Sequence, residues 1–345
     1  MIIVNPTEKF WFYGHSICLE YSDKEHTYLK DGIPQESVTQ IVKILDKSEA
    51  LINWACKMMF QKALSLIAFY RHEQTGEISV SYEEFEELLN TARIAHRERL
   101  EEAADVGKVA HAWIEAFIKA TIRRDRQARR DLLNQLPSDP RAASCCRAAI
   151  KWMVSHNVRW LQTEKKIYSR QWGYAGTADG LCVCDSCGDR LCCPRRFTSR
   201  LSLADWKSSN ALHIEYLFQT AAYEHAIEEE WKVDIRDRWV IRLGKEDGKF
   251  DPWHLTAETF DRDFAGFITC LEAYRTVRDV KARMKEVSDA LKARERAKKK
   301  ADREARLLIK CAYADKYKGS RKPNCNKGRP CQTCLAKYEE KHHEE

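Results

Sequence analysis

The hydrophobic rhythm divides the chain into a helical first half and a second half that carries strands. Residues 21–28, the Asp31-Gly32 turn and the stretch to Val42 read as a small hairpin leading into a helix. Across 41–70 the apolar residues fall at helical spacing through Leu45, Leu51, Ile52, Ala55 and Met59. Ser81, with Glu84 in capping-box position, opens a charged helix to about Glu102. A further helix spans roughly 105–122, and a basic stretch follows it (Arg123, Arg124, Arg126, Arg129, Arg130). Pro137 and Pro140 break the pattern before another helix to about Ser155.

The character then changes. Residues 160–168, 174–184 and 200–206 read as strands, 211–230 as a helix and 238–244 as a fourth strand. From Thr256 the text is helical, and from Thr276 it is long, rich in Lys, Arg and Ala, and poor in aromatics. The tail after Lys318 is polar, with Gly, Pro and Cys, and no internal repeat is present. Helix, three strands, helix, strand is the order of a mixed α/β sheet flanked by helices.

Composition narrows the class. A chain of 345 residues with 44% hydrophobic and 32% charged residues can bury a core, which excludes a disordered chain, a collagen-like repeat and a membrane-embedded bundle. The N-terminal text lacks the basic start, long apolar stretch and cleavage site of a secretory signal, so the expectation is a cytoplasmic protein with no membrane partner. In a reducing compartment, clustered cysteines are better read as metal ligands than as disulfides. Of the 14 cysteines, five lie within 182–193 and three within 325–334. The net charge of +7 is equally local: residues 276–310 hold thirteen Lys/Arg against six Asp/Glu, so the rest of the chain sums to zero. That helix is either a solvated face or a surface that tracks a phosphate backbone.

Candidate chemistry starts at Leu201-Ser-Leu-Ala-Asp-Trp-Lys207, where strand alternation puts Asp205 and Lys207 on one face. A carboxylate and an ammonium so placed fit metal-assisted hydrolysis: one holds a hard cation, the other orients water or neutralises developing charge. The spacing alone is cheap, since Asp247-x-Lys249 and Asp279-x-Lys281 also occur, in an expected turn and an expected solvated helix. Context raises it. The preceding strand holds Gly176-Thr-Ala-Asp179-Gly180, whose small residues allow close approach to the backbone, although alone this segment reads as a turn. Gly107-x-x-x-His111 lies on the helix before the strands with Glu115 one turn on, and Gln219 and Tyr223 share a face of the helix after Lys207. Glu164 either joins these groups or pairs with Lys166.

The ordered set Gly107-x-x-x-His111, Gly176-x-x-Asp179, Asp205-x-Lys207 and Gln219-x-x-x-Tyr223 resembles the motif series of RecB-type nucleases in the PD-(D/E)XK superfamily. His26-Thr-Tyr28, Asp31-Gly32 and Ser37-Val-Thr39-Gln-Ile41 resemble phage-type members, and the likeness covers about 20–250. The resemblance implies a restriction-endonuclease-like αβββαβ core over 104–255, with a cysteine-rich insertion at 182–200. Around it would lie an N-terminal elaboration (1–103), a C-terminal helical region (256–318) and a tail (319–345). It implies a Mg²⁺- or Mn²⁺-dependent deoxyribonuclease, an exonuclease serving recombination, repair or phage DNA processing in a bacterial or phage-infected cell. Asp179 and Asp205 would hold the metal, with the Trp206 carbonyl and His111 as further ligands. Lys207 would position or activate water, and Gln219 and Tyr223 would orient the substrate strand or brace the site. DNA is the implied partner, with a helicase, a recombinase or a single-strand-binding protein as accessory; the chain has no Walker-type motor signature of its own. The alternative is a non-catalytic DNA-binding module with zinc knuckles on a nuclease-like scaffold.

Cys184-x-x-Cys187-Gly188 and Cys192-Cys193 fall between the two acidic strands and read as an inserted structural zinc knuckle or as a cysteine-rich hairpin without metal. Cys325, Cys331 and Cys334 in the tail offer three more thiolates and lack a local fourth. Some RecB-type nucleases clamp an iron–sulfur cluster with one upstream and three downstream cysteines. Here the downstream spacing runs five then two, and Cys18 and Cys56 sit in ordinary context upstream, so structural zinc is favoured over a cluster.

Overall fold

The computed structural model describes residues 8–23, 25–45 and 48–308, and the chain divides into two compact units between Tyr274 and Arg275. The tail cysteines Cys325, Cys331 and Cys334 lie outside the described residues.

The first unit opens with an antiparallel meander of β1 (Glu8–Phe12), β2 (Ile17–Ser22), β3 (Thr27–Lys30) and β4 (Ile33–Ser37). Asp31 and Gly32 link β3 to β4 with φ of +51° and +76°, the left-handed pair that a two-residue hairpin turn demands. Ser37 then caps the short helix α1 (Val38–Val42) in a reciprocal capping box with Gln40.

Helices α2 (Ser48–Ile67), α3 (Tyr82–Arg93), α4 (Ala95–Ile122), α5 (Arg126–Asn134) and α6 (Pro140–Ser155) follow. Two boundaries differ from the sequence expectation. The helix expected over 41–70 is interrupted between Val42 and Ser48. The helix expected from Ser81 to Glu102 stops at Arg93, and α4 then runs unbroken from Ala95 to Ile122. Ile94, at φ −93° and ψ −3°, ends one helix and starts the next, while Ala103 and Ala104 give the chain no reason to stop where a break was expected.

The remaining elements are β5 (Arg159–Ser169), β6 (Tyr174–Cys184), β7 (Arg200–Lys207), α7 (Ile214–Trp231), β8 (Asp237–Leu243), β9 (Phe250–Thr256) and α8 (Ala257–Leu308). They complete a nine-stranded mixed sheet in the order β1-β2-β3-β4-β6-β7-β8-β9, with β5 also paired to β6. The helix–strand–strand–strand–helix–strand order is thus realised as a mixed sheet flanked by helices with a long C-terminal helix. Two edge strands, β1 and β9, were not read from the sequence; β9 carries Pro252, which an edge tolerates.

Both faces of the central strands are buried, each by its own helices. On one face α4 and α6 pack Ala110, Ile114, Ile118 and Trp152 against Trp160, Trp206 and Trp239. On the other, α1, α7 and the first turns of α8 bring Val38, Ile41, Tyr223, Ile227, Phe267 and Leu271 together. Arg238 of β8 is buried in this layer and pairs with Glu224 and with Asp263, each at 2.7 Å, so the charge placed inside is compensated.

In the second unit the helix is largely exposed, with Val280, Met284, Val287 and Leu291 at alternating spacings of four and three on its surface. Among the described residues, no helix is long and apolar enough to cross a membrane.

Candidate active site

Strand β6 has two edges, and their pairing builds a fork. One edge pairs with β5 along its length, from Ser169↔Tyr174 to Arg159↔Val183. The other pairs with β4 only at Tyr174 and Ala175, and with β7 only from Gly180 to Cys184. Between them, residues 176–179 line an edge to which neither strand pairs. Gly176-Thr-Ala-Asp179, a turn candidate in the sequence, is therefore mid-strand at the crotch of the fork. Neighbouring groups bridge the gap by side chain. Asp179 Oδ2 accepts the Trp206 backbone N–H at 2.8 Å, just past the last β6–β7 pair, and Tyr28 of β3 hydrogen-bonds Thr177.

Strand β7 brings Asp205 and Lys207 to the same place, on the face turned toward α7. Asp205 is 1% exposed, and its Oδ2 lies 2.6 Å from Lys207 Nζ. This oxygen takes no aligned hydrogen bond. Lys207 Nζ donates to Gln219 Oε1 at 3.2 Å, and Gln219 Nε2 donates to the Tyr223 hydroxyl at 2.6 Å. The ammonium also stands 4.7 Å from the centre of the Tyr216 ring. A chain of contacts from Asp205 to Tyr223 thus fixes Lys207, and the i, i+4 spacing of Gln219 and Tyr223 on α7 makes it continuous.

The glycines of the motifs are contact points. A Cβ on Gly107 would lie 2.7 Å from Ser208 Oγ, so α4 packs closely on the residue that follows β7 and a side chain there would make the Ser208 hydroxyl turn away. That approach brings His111 Nδ1, one turn on, to 3.9 Å from Asp179 Oδ2, beyond hydrogen-bond length. Asp179, Asp205, Lys207, Gln219, Tyr223 and His111 are thereby gathered in one region. Trp206 contributes its backbone N–H to Asp179, and its ring is buried against Trp152 on the opposite face.

The site is rich in carboxylates. Glu164, on β5 between the Thr163↔Gly180 and Lys165↔Ala178 pairs and at φ +49°, joins them. Its carboxyl is pushed up to about 7 by burial, with the charges of Asp179 and Glu115 adding. Asp205 is likewise raised to about 7 by burial; Lys207 opposes the shift and Asp179 adds to it. Burial alone would lower the Lys207 ammonium, but the carboxylates of Asp205 and Asp179 outweigh it and hold the group above its ordinary value. Burial raises Tyr223 well above the usual phenol range, reinforced by Asp205. The sequence left Glu164 either to the site or to a pair with Lys166; Lys166 feels its charge, but the Lys166 ammonium donates to Thr177 at 3.1 Å.

The cysteine-rich insertion departs from the expected knuckle. Cys184 is still in β6, buried, with its Sγ 3.2 Å from Ser202 Oγ. The group that joins Cys187, Cys192 and Cys193 is instead His156, at the C-terminus of α6. Cys184 Sγ is engaged by Ser202 across the β6–β7 pair, and the chain leaves the strand before Cys187.

No family model and no curated protein matches the chain. Among solved structures it is similar to LHK-Exo in complex with dAMP, at a TM-score of 0.28 and 12% identity, over 53% of this chain and 98% of that one.

Proposed function

We propose that this protein is a divalent-cation-dependent deoxyribonuclease whose site is built on Asp179, Asp205 and Lys207. The observation that carries the reading is the fork: where β6 and β7 part, two carboxylates from neighbouring strands and a braced lysine meet beside an open strand edge. The donor set fits a hard cation. Asp179, Asp205 and Glu164 offer carboxylate oxygens, and His111 stands near enough to Asp179 for both to serve one ion. Mg²⁺ or Mn²⁺ held there would polarise a phosphoryl oxygen and acidify a water.

The protein's own groups supply the rest. Lys207, kept protonated and pointed by Asp205 and Gln219, neutralises charge on the phosphate or holds the attacking water in line. Tyr223 holds the Gln219 amide whose oxygen accepts from the Lys207 ammonium. We assign DNA as the substrate and exonucleolytic action in recombination, repair or phage DNA processing from the motif order together with this geometry.

End-labelled linear and closed circular DNA, with and without Mg²⁺, tests the reading in the wild type and in Lys207→Ala. Linear DNA is expected to be degraded only with the cation, circles to survive, and the variant to be inactive under conditions where it is still folded. Cutting of circles would remove the exonuclease assignment. Full activity in Lys207→Ala would remove the nuclease site itself.

A further inference from the structure

Away from the fork, four potential ligands converge where the β6–β7 insertion meets the end of α6. His156 Nε2 lies 3.3 Å from Cys192 Sγ and 3.6 Å from Cys193 Sγ. Cys193 Sγ is 3.6 Å from Cys187 Sγ and 3.9 Å from Cys192 Sγ. All four donor atoms lie within 4.8 Å of one another. A tetrahedral zinc ion with Zn–S near 2.3 Å and Zn–N near 2.0 Å needs donor separations of about 3.8 Å between sulfurs and about 3.6 Å from sulfur to nitrogen. The observed edges bracket those values.

The surroundings are arranged for ligation. His156 is fully buried, and its Nδ1 lies 2.9 Å from the Trp152 carbonyl, to which it donates; this tautomer turns the lone pair of Nε2 toward the thiols. The ring is held by stacking on Trp152 at 5.0 Å and by an edge contact with Trp239 at 4.9 Å. The loop folds to present its sulfurs. Gly188 takes φ +86° directly after Cys187, and the Cys193 N–H donates to the Asp189 carbonyl at 2.7 Å. Asp185 fastens the base of the loop by accepting from the Asn157 side chain and the Ser199 N–H. A loop with only a few apolar side chains has little core of its own, and three thiols and an imidazole gathered there are the donors that hold zinc.

We propose that His156, Cys187, Cys192 and Cys193 form a closed Cys₃His site for a structural Zn²⁺ that staples the insertion between β6 and β7 to the end of α6. Four protein ligands leave no open position, so the ion holds structure and takes no part in hydrolysis. The site needs neither Cys184 nor a cysteine from the tail. Its mechanical reach extends to the fork: Trp152, on which His156 stacks, meets the ring of Trp206 edge-on at 5.4 Å, and Trp206 sits between Asp205 and Lys207.

The test uses the full chain with Cys325, Cys331 and Cys334 replaced by Ser, so that tail thiols do not contribute. Metal analysis is expected to find one zinc per chain, lost in His156→Ala and retained in Cys184→Ser. If His156→Ala does not fold, zinc-edge X-ray absorption of the parent protein is expected to report three sulfurs and one nitrogen around the ion. Stripping the zinc should make trypsin cleave several-fold faster at Arg190, Arg195 and Arg196. Equal zinc in His156→Ala, a four-sulfur shell, loss of zinc in Cys184→Ser, or a metal-free protein with oxidised Cys187 and Cys193 would each overturn the proposal.

Discussion

A Cβ placed on Gly176 of β6 would lie 2.9 Å from Cε1 of Tyr223 on α7, closer than real Cβ contacts come. The first motif glycine of β6 and the last motif residue of α7 therefore touch because position 176 has no side chain. The same Cβ would stand 3.2 Å from Ile167 and 3.3 Å from Val38, so no neighbour has room to yield. Gly176→Val is expected to destabilise the fold by about 1–3 kcal/mol, the usual cost of overpacking a core. It should also displace Tyr223 and with it the Gln219 amide that receives Lys207. Urea unfolding reads the first effect. Nuclease assay under conditions where the variant is still folded reads the second, as a loss of turnover beyond the unfolded fraction.

The buried carboxyls give the fold a pH dependence. Glu164 and Asp205 hold their protons up to about 7 in the native state, whereas in the unfolded chain they release them near 4. Between those values the native state binds more protons than the unfolded state, so stability is highest at the acid end and falls as pH rises through the window. In cation-free buffer the urea midpoint should decline from about pH 5 to about pH 8. Glu164→Gln, which cannot ionise, should flatten that decline. A midpoint that climbs over the same range, or an unchanged slope in the variant, would show that these groups are not held protonated.

A cation that relieves the crowded carboxylates must stabilise the native state whether or not DNA is present. At a concentration one hundred times its Kd it adds about 2.7 kcal/mol, because it binds the folded chain alone. Mg²⁺ or Mn²⁺ titrated into the protein at about pH 8 should therefore raise Tm. Asp179→Asn, which keeps an acceptor for the Trp206 N–H but removes a charge, should lose most of that rise. Equal shifts in both proteins would place the ion elsewhere.

How far the sequence could be read depended on the range of the signal. Asp205 and Lys207 were legible as a pair because strand alternation is local, and Gln219 with Tyr223 because helical spacing is local. The mixed sheet was legible from element order. The fork was not: it depends on β4 and β7 sharing one edge of β6, a contact between distant segments. Glu164 was ambiguous for the same reason, since only the pairing of β5 with β6 brings it within reach of the Asp179 charge. The cysteines were legible only in part. Cys184-x-x-Cys187 has ligand spacing, yet Cys184 is engaged with Ser202, and the group gathered with Cys187, Cys192 and Cys193 is a histidine at a helix end, a contact that local spacing does not encode. The two unread edge strands, β1 and β9, are half-exposed, so their alternation is weak.

The charge excess over 276–310 makes the last prediction. If the proposed nuclease uses this helix to hold the DNA backbone, each phosphate contact releases counterions on binding, and affinity falls with salt at a slope of about 0.9 per contact for duplex. Replacing Lys292, Arg296, Lys298 and Lys299 with Gln removes four cations from a helix that contributes little to the core. Kd for duplex DNA should rise, and the slope of log affinity against log salt should flatten by up to about 3.6. Turnover at saturating DNA should hold, since none of the four belongs to the fork. A slope equal to that of the wild type would make the basic face a solvated surface, and the contacts that hold DNA would then have to come from residues of the first unit, such as Lys166 beside Thr177.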